Sequence, residues 1–106
     1  MAAGSMMPSL SFAAGSKVPL GIQLWTVKSE AQKDLEGTMK QLYALGFREI
    51  EFAGYYGKTA ADLGKLMKGI GFTLVSTHAG ADDIAAKGDQ IIADAKTLGL
   101  KYIICS

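Results

Sequence analysis

The chain has 106 residues, with 11 Lys and Arg against 10 Asp and Glu, a net charge of +1, 49% hydrophobic residues and 20% charged ones. These values describe one globular domain and exclude a disordered chain, which lacks the apolar surface to offset its conformational entropy. They also argue against a nucleic-acid partner, for want of a basic field. No apolar run approaches the roughly 20 residues of a membrane span. Cys105, the single cysteine, can form neither an internal disulfide nor a thiolate cluster.

Residues 1–16, MAAGSMMPSLSFAAGS, carry no charge and follow neither a helical nor a strand period. The segment resembles the back half of a secretory signal, with small residues at Ser11 and Ala13 permitting cleavage after Ala13. The basic stretch that opens such a signal is missing. The segment is therefore read as a clipped signal peptide or a flexible leader, and the domain as residues 17–106. This implies an exported, periplasmic protein, or a cytoplasmic one if the leader is not a signal.

From Val18 onward one pattern recurs: an apolar helical stripe, a glycine, then a short β-rich run. The joints are Leu45-Gly46-Phe47, Ile70-Gly71-Phe72 and Leu98-Gly99-Leu100. Glycine suits a helix end because the backbone there often turns left-handed. The predicted strands are residues 20–25, 49–53, 73–77 and 102–105, apolar enough for a sheet covered on both faces. Between them, Asp34 is the expected cap of a helix whose stripe is Leu35, Met39 and Leu42. Thr59 and Asp62 form a capping-box pattern ahead of Leu63, Leu66, Met67 and Ile70. Asp82 or Asp83 is the expected cap of a third helix with Ile84, Ile91, Ala95 and Leu98.

The order βαβαβαβ requires crossover connections and a parallel sheet. A TIM (β/α)8 barrel takes about 250 residues, or roughly 30 per unit, close to the recurrence of these glycines. A doubly wound domain covers both sheet faces with helices, and no helix follows the fourth strand here. The expected fold is therefore α/β, the first three and a half units of an incomplete TIM barrel.

Several runs, in order, carry a family resemblance: Gly21-Ile22-Gln23-Leu24-Trp25-Thr26-Val27, Gly37-Thr38, Leu45-Gly46-Phe47-Arg48-Glu49-Ile50-Glu51-Phe52-Ala53-Gly54-Tyr55-Tyr56-Gly57, and Ser76-Thr77-His78-Ala79-Gly80. Together they resemble the opening of sugar phosphate isomerase/epimerases of the xylose isomerase-like TIM-barrel superfamily. The resemblance covers residues 18–106. It implies a barrel that binds a divalent metal (Mn, Mg, Co or Zn) at the C-terminal strand ends and moves a proton beside a sugar carbonyl. It also implies metal ligands, two Glu, an Asp and a His, on strands after the fourth. No cofactor and no metal ligand is thus expected in this chain, and no catalytic residue is assigned.

Barrel chemistry gathers where the C-terminal strand ends converge. The substrate-binding candidates are Gln23 and Trp25 on the first strand, Glu51 on the second, Tyr55 after it and His78 on the third. Alternation puts Gly21, Gln23 and Trp25 on one face. Glu51, between Ile50 and Phe52, points away from two helix-facing groups, and its carboxylate needs a partner if buried. It either binds sugar hydroxyls or is hydrogen-bonded inside the barrel. His78, the one histidine, either contacts substrate or makes a structural loop bond. Trp25 offers an apolar wall to a sugar ring or is simply core. Tyr55 and Tyr56 are loop aromatics over the mouth, one of them packing. Cys105 reads as a small buried hydrophobe, and Lys28 and Arg48 as solvated. The run Gly54 to Thr59 echoes a phosphate loop but has the wrong glycine spacing.

The function expected from this reading is the N-terminal fragment of a metal-dependent sugar or sugar phosphate isomerase/epimerase, catalytically incomplete alone. One alternative is a small non-catalytic α/β binding module, and another is a DNA-repair phosphoesterase of the same superfamily. The expected partner is a small-molecule sugar or sugar phosphate, with self-association through an open sheet edge.

Overall fold

The computed structural model describes residues 18–106; the leader assigned to residues 1–16 lies outside them. Four strands, β1 (Leu20–Gln23), β2 (Phe47–Phe52), β3 (Thr73–Ala79) and β4 (Tyr102–Cys105), form one sheet in the order β1-β2-β3-β4. All three pairings are parallel. Sequential parallel order is the arrangement of consecutive barrel units, and it differs from the reversed order at the centre of a doubly wound sheet. The α/β expectation of three and a half strand–helix units holds.

The helices are α1 (Lys28–Lys33), α2 (Leu35–Ala44), α3 (Ala60–Ile70) and α4 (Ala81–Leu98). Asp34 caps α2, its carboxylate accepting from the Gly37 backbone N–H at 3.0 Å. Thr59 caps α3 through a bond to its Oγ1 from the Asp62 N–H at 3.1 Å. These side chains satisfy backbone donors that a helix start leaves free. The third cap differs from the reading above. Gly80 occupies it with no side-chain bond, and Asp82 and Asp83 stand in the first turn, where a negative charge meets the positive end of the helix dipole. Helix α4 is also bent at Lys87, whose φ of −134° and ψ of 25° lie outside the helical region.

Leu35, Met39, Leu42, Leu63, Met67 and Leu98 from the helices close on Ile50, Phe52 and Leu74 from the sheet. The three joint glycines adopt left-handed backbone, with φ of 106° at Gly46, 124° at Gly71 and 73° at Gly99. At Gly71 a Cβ would also lie 2.8 Å from the Tyr43 ring.

Three further sequence expectations are corrected. The first strand ends at Gln23, and residues 24–27 form a 3-10 turn leading into α1. That turn buries Leu24 completely and leaves Trp25 60% exposed, so Trp25 does not continue the Gly21–Gln23 alternation. Cys105 is exposed, as is all of β4. Arg48 is not simply solvated: its guanidinium lies 3.7 Å from the Tyr43 ring centroid and donates to the Tyr43 and Phe47 carbonyls at 2.7 and 2.8 Å.

Candidate functional site

Strand register sets three polar side chains in one row. Gln23 on β1 pairs with Glu51 on β2, and Glu51 pairs with Ser76 on β3. The row exists because β3 carries an irregularity opposite Ile50 and Glu51: Leu74 pairs with Ile50 and Ser76 with Glu51, so Val75 is the extra residue. Such a bulge re-aims the side chains beyond it. Two residues further along β3, on the same face, stands His78. These groups occupy the sheet face opposite the helices, near the C-terminal ends of the strands.

The four side chains form one connected network. Ser76 Oγ donates to Glu51 Oε1 at 2.8 Å, and Gln23 Nε2 donates to Glu51 Oε2 at 2.7 Å. Both carboxylate oxygens are thereby engaged, which meets the need for a partner that the sequence raised. The same Gln23 nitrogen lies 2.8 Å from His78 Nδ1, which is 3.4 Å from Glu51 Oε2. Ser76 is 3% exposed, whereas the Glu51 and His78 side chains are 25% and 32% exposed. The network is anchored below and open above.

Two depressions adjoin it. One, of about 230 Å³, runs along the lower strands past Gly21, Glu49, Glu51 and Ser76. The other, of about 380 Å³, opens at the strand ends and is lined by Gln23, Trp25, Ala53, His78 and Ser106. Trp25 thus reaches the cleft from the turn after β1, with Lys28 Nζ 4.1 Å from its ring centroid. This cation–π contact holds the indole while leaving it exposed.

Tyr55 is placed elsewhere. It packs edge-to-face on Phe52, ring centroids 5.7 Å apart, and lines a third cleft of about 390 Å³ between the β2–α3 loop and α4, with Thr77, Asp83, Lys87, Gln90 and Asp94. His78 touches both this cleft and the one at the strand ends. Burial pushes the Tyr55 phenol above its usual range, a hydrogen bond with Thr77 opposes this, and Asp94 adds to it. Tyr56 packs against the core with φ at 55°, and its buried hydroxyl has no hydrogen-bond partner. Burial raises its pKa as well.

The structure therefore joins Gln23, Glu51 and His78 directly, brings Trp25 to the same cleft, and leaves Tyr55 outside the network. Ser76 was missed by sequence reasoning. Its signal was the period-two spacing from His78 on one strand, but pairing it with Glu51 required the bulge. Among the described residues, no three His, Cys, Asp or Glu side chains are grouped so as to hold a metal ion. Glu51 and His78 are two suitable donors, so the residues present do not by themselves fit a divalent metal.

No family model matches the sequence, and no curated protein matches it. Among solved structures, the chain is similar to a sugar phosphate isomerase/epimerase from Parabacteroides distasonis ATCC 8503, with a TM-score of 0.66 and 18% sequence identity. The match covers 87% of this chain and 40% of that one. At this identity the likeness is one of fold: this chain forms consecutive TIM-barrel-type units and spans 40% of the length of that structure. Among the described residues no helix is long and apolar enough to cross a membrane.

Proposed function

We propose that this chain is the N-terminal, sugar-binding part of a sugar or sugar phosphate isomerase/epimerase, catalytically incomplete alone, whose divalent-metal ligands come from strands beyond β4. The observation that carries this reading is the Gln23–Glu51–Ser76–His78 network at the strand ends, beside the exposed ring of Trp25. A sugar presents hydroxyls that both donate and accept, and one ring face of C–H groups. A partly exposed carboxylate accepts from hydroxyls, an imidazole bonds a ring or carbonyl oxygen, and an indole covers the C–H face. The likeness to the Parabacteroides distasonis fold supports the same assignment. In this role the chain's residues bind and orient; proton transfer beside the carbonyl belongs to carboxylates on the later strands.

The test is a titration of the purified chain with aldoses, ketoses and their phosphate esters, followed by heteronuclear NMR. Saturable shifts are expected at the Trp25 indole, the Gln23 side-chain amide and the His78 ring, and they are lost in Glu51→Gln. Shifts confined to other residues, or none from any sugar, would defeat the proposal. Stoichiometric Mn²⁺ binding by the same chain would remove the part that places the metal ligands elsewhere.

A further inference from the structure

We propose that Gln23 sets the tautomer of His78, so that the neutral imidazole carries its proton on Nε2 and donates it to an oxygen atom of the ligand. This deepens the sugar-binding reading and rests on it for the identity of that ligand. The two nitrogens of a histidine are distinct, and the bond made by one decides which carries the proton.

Glu51 fixes the orientation of the Gln23 amide. A carboxylate oxygen accepts hydrogen bonds and donates none, so the Gln23 atom 2.7 Å from Oε2 is the amide nitrogen. The amide carbonyl in that position would set two acceptors against each other. An amide nitrogen has two hydrogens. One goes to Glu51, and the other faces His78 Nδ1 at 2.8 Å. A proton on Nδ1 would point hydrogen at hydrogen there, so Nδ1 presents its lone pair and the proton resides on Nε2.

The competing arrangement has Nδ1–H donate to Glu51 Oε2, but those atoms are 3.4 Å apart, longer than either bond made by Gln23. Ser76, buried and bonded to Oε1, holds the carboxylate from turning toward the ring. The hydrogen bonds of His78 engage Nδ1 alone, and the residue lines the strand-end cleft. Its Nε2–H is thus the free polar group.

The chemical consequence is specific. The ring nitrogen that carries hydrogen has its lone pair in the aromatic π system and none in the ring plane, so in this state His78 neither ligates a metal through Nε2 nor accepts a substrate proton there. It recognises an acceptor: a carbonyl, hydroxyl or phosphate oxygen. Gln23 acts through His78 and is a positioning residue.

Because the chain has one histidine, ¹⁵N-histidine labelling gives a single ring to observe. A long-range ¹H–¹⁵N correlation on the neutral ring reads the tautomer directly. The wild-type chain is expected to show an unprotonated Nδ1 and a protonated Nε2. In Gln23→Leu, and in Gln23→Met if the first variant does not fold, Glu51 becomes the nearest partner of Nδ1, and the proton moves to Nδ1 in more than half of the molecules. A wild-type ring protonated on Nδ1, or a tautomer ratio unchanged in the folded variant, would overturn the proposal. The measurement needs no sugar. A tautomer that inverts in a chain binding no sugar leaves this inference standing and sinks the sugar-binding reading; sugar binding with an unchanged tautomer does the reverse.

Discussion

The same strands build two unlike faces. Toward the helices they present Ile50, Phe52 and Leu74, each at most 5% exposed. Away from the helices they present Gln23, Glu51, Ser76 and His78, joined by hydrogen bonds and open to a cleft. Alternation makes this division along β2, where Glu51 stands between Ile50 and Phe52, and on β3 the bulge at Val75 makes it, turning Ser76 away from the face that Leu74 occupies. Stability and recognition are thus separable here, since apolar burial scales with area on one face while the other depends on direction and partner.

The helix face should be the more sensitive of the two. Phe52→Ala removes a fully buried ring and is expected to cost about 3–5 kcal/mol, enough to threaten folding of so small a unit. Urea unfolding followed by circular dichroism measures it, and a loss below about 1 kcal/mol would show that Phe52 is not central to the core.

A smaller loss is expected at the joints that return the chain from helix to strand. Gly71→Ala places a Cβ against the Tyr43 ring at a φ of 124°, for a cost of about 2 kcal/mol by the same unfolding assay. An unchanged midpoint would mean that the turn relaxes without penalty.

The polar face should lose binding with little loss of stability. Glu51→Gln keeps shape but loses one of the two accepted bonds, for a stability cost of about 1 kcal/mol. Sugar-induced NMR shifts should nevertheless disappear. A variant that loses stability as severely as Phe52→Ala would show that the network is mainly a structural support.

The smallest effect sharpens the division within one loop. Tyr56→Phe deletes a buried hydroxyl without a partner and should change stability by between zero and about 1 kcal/mol in the favourable direction. The pH dependence of unfolding adds a check. Burial raises the Tyr55 and Tyr56 phenols above the usual 10.0. Their contribution is therefore fully present below about pH 10 and is lost as pH rises through the higher folded values. Removing both hydroxyls should flatten that alkaline decline; a decline left unchanged would exclude these phenols as its source.

Much of this was legible in the residues. The glycine joints, the caps at Asp34 and Thr59, and the stripes that became the core follow local rules that act within a few residues. Trp25 was placed on the first strand because its alternation continues that of Gln23. The chain turns there because burying Leu24 among the helices decides the conformation of the whole turn, which is a tertiary effect. The acidic pair at residues 82 and 83 suggested a cap, whereas Gly80 takes that position. For the candidate site, alternation along β2 marked Glu51 and the tip of β3 marked His78; Ser76 shares the period-two face of His78, but only the bulge sets it against Glu51.

The sequence by itself determined the succession of four strands with a helix between each pair, the glycine joints and the caps at Asp34 and Thr59, and the polar residues standing where a strand should bury apolar ones. These depend on contacts between near neighbours in the chain and on the twofold and 3.6-fold periods of the backbone. Only the tertiary structure decided that Gln23, Glu51 and Ser76 share a row, that the bulge at Val75 aligns them, and that Tyr55 faces another cleft. Register between strands far apart in sequence is fixed by packing of the whole sheet against its helices, and the direction of each hydrogen bond in the network follows from that register.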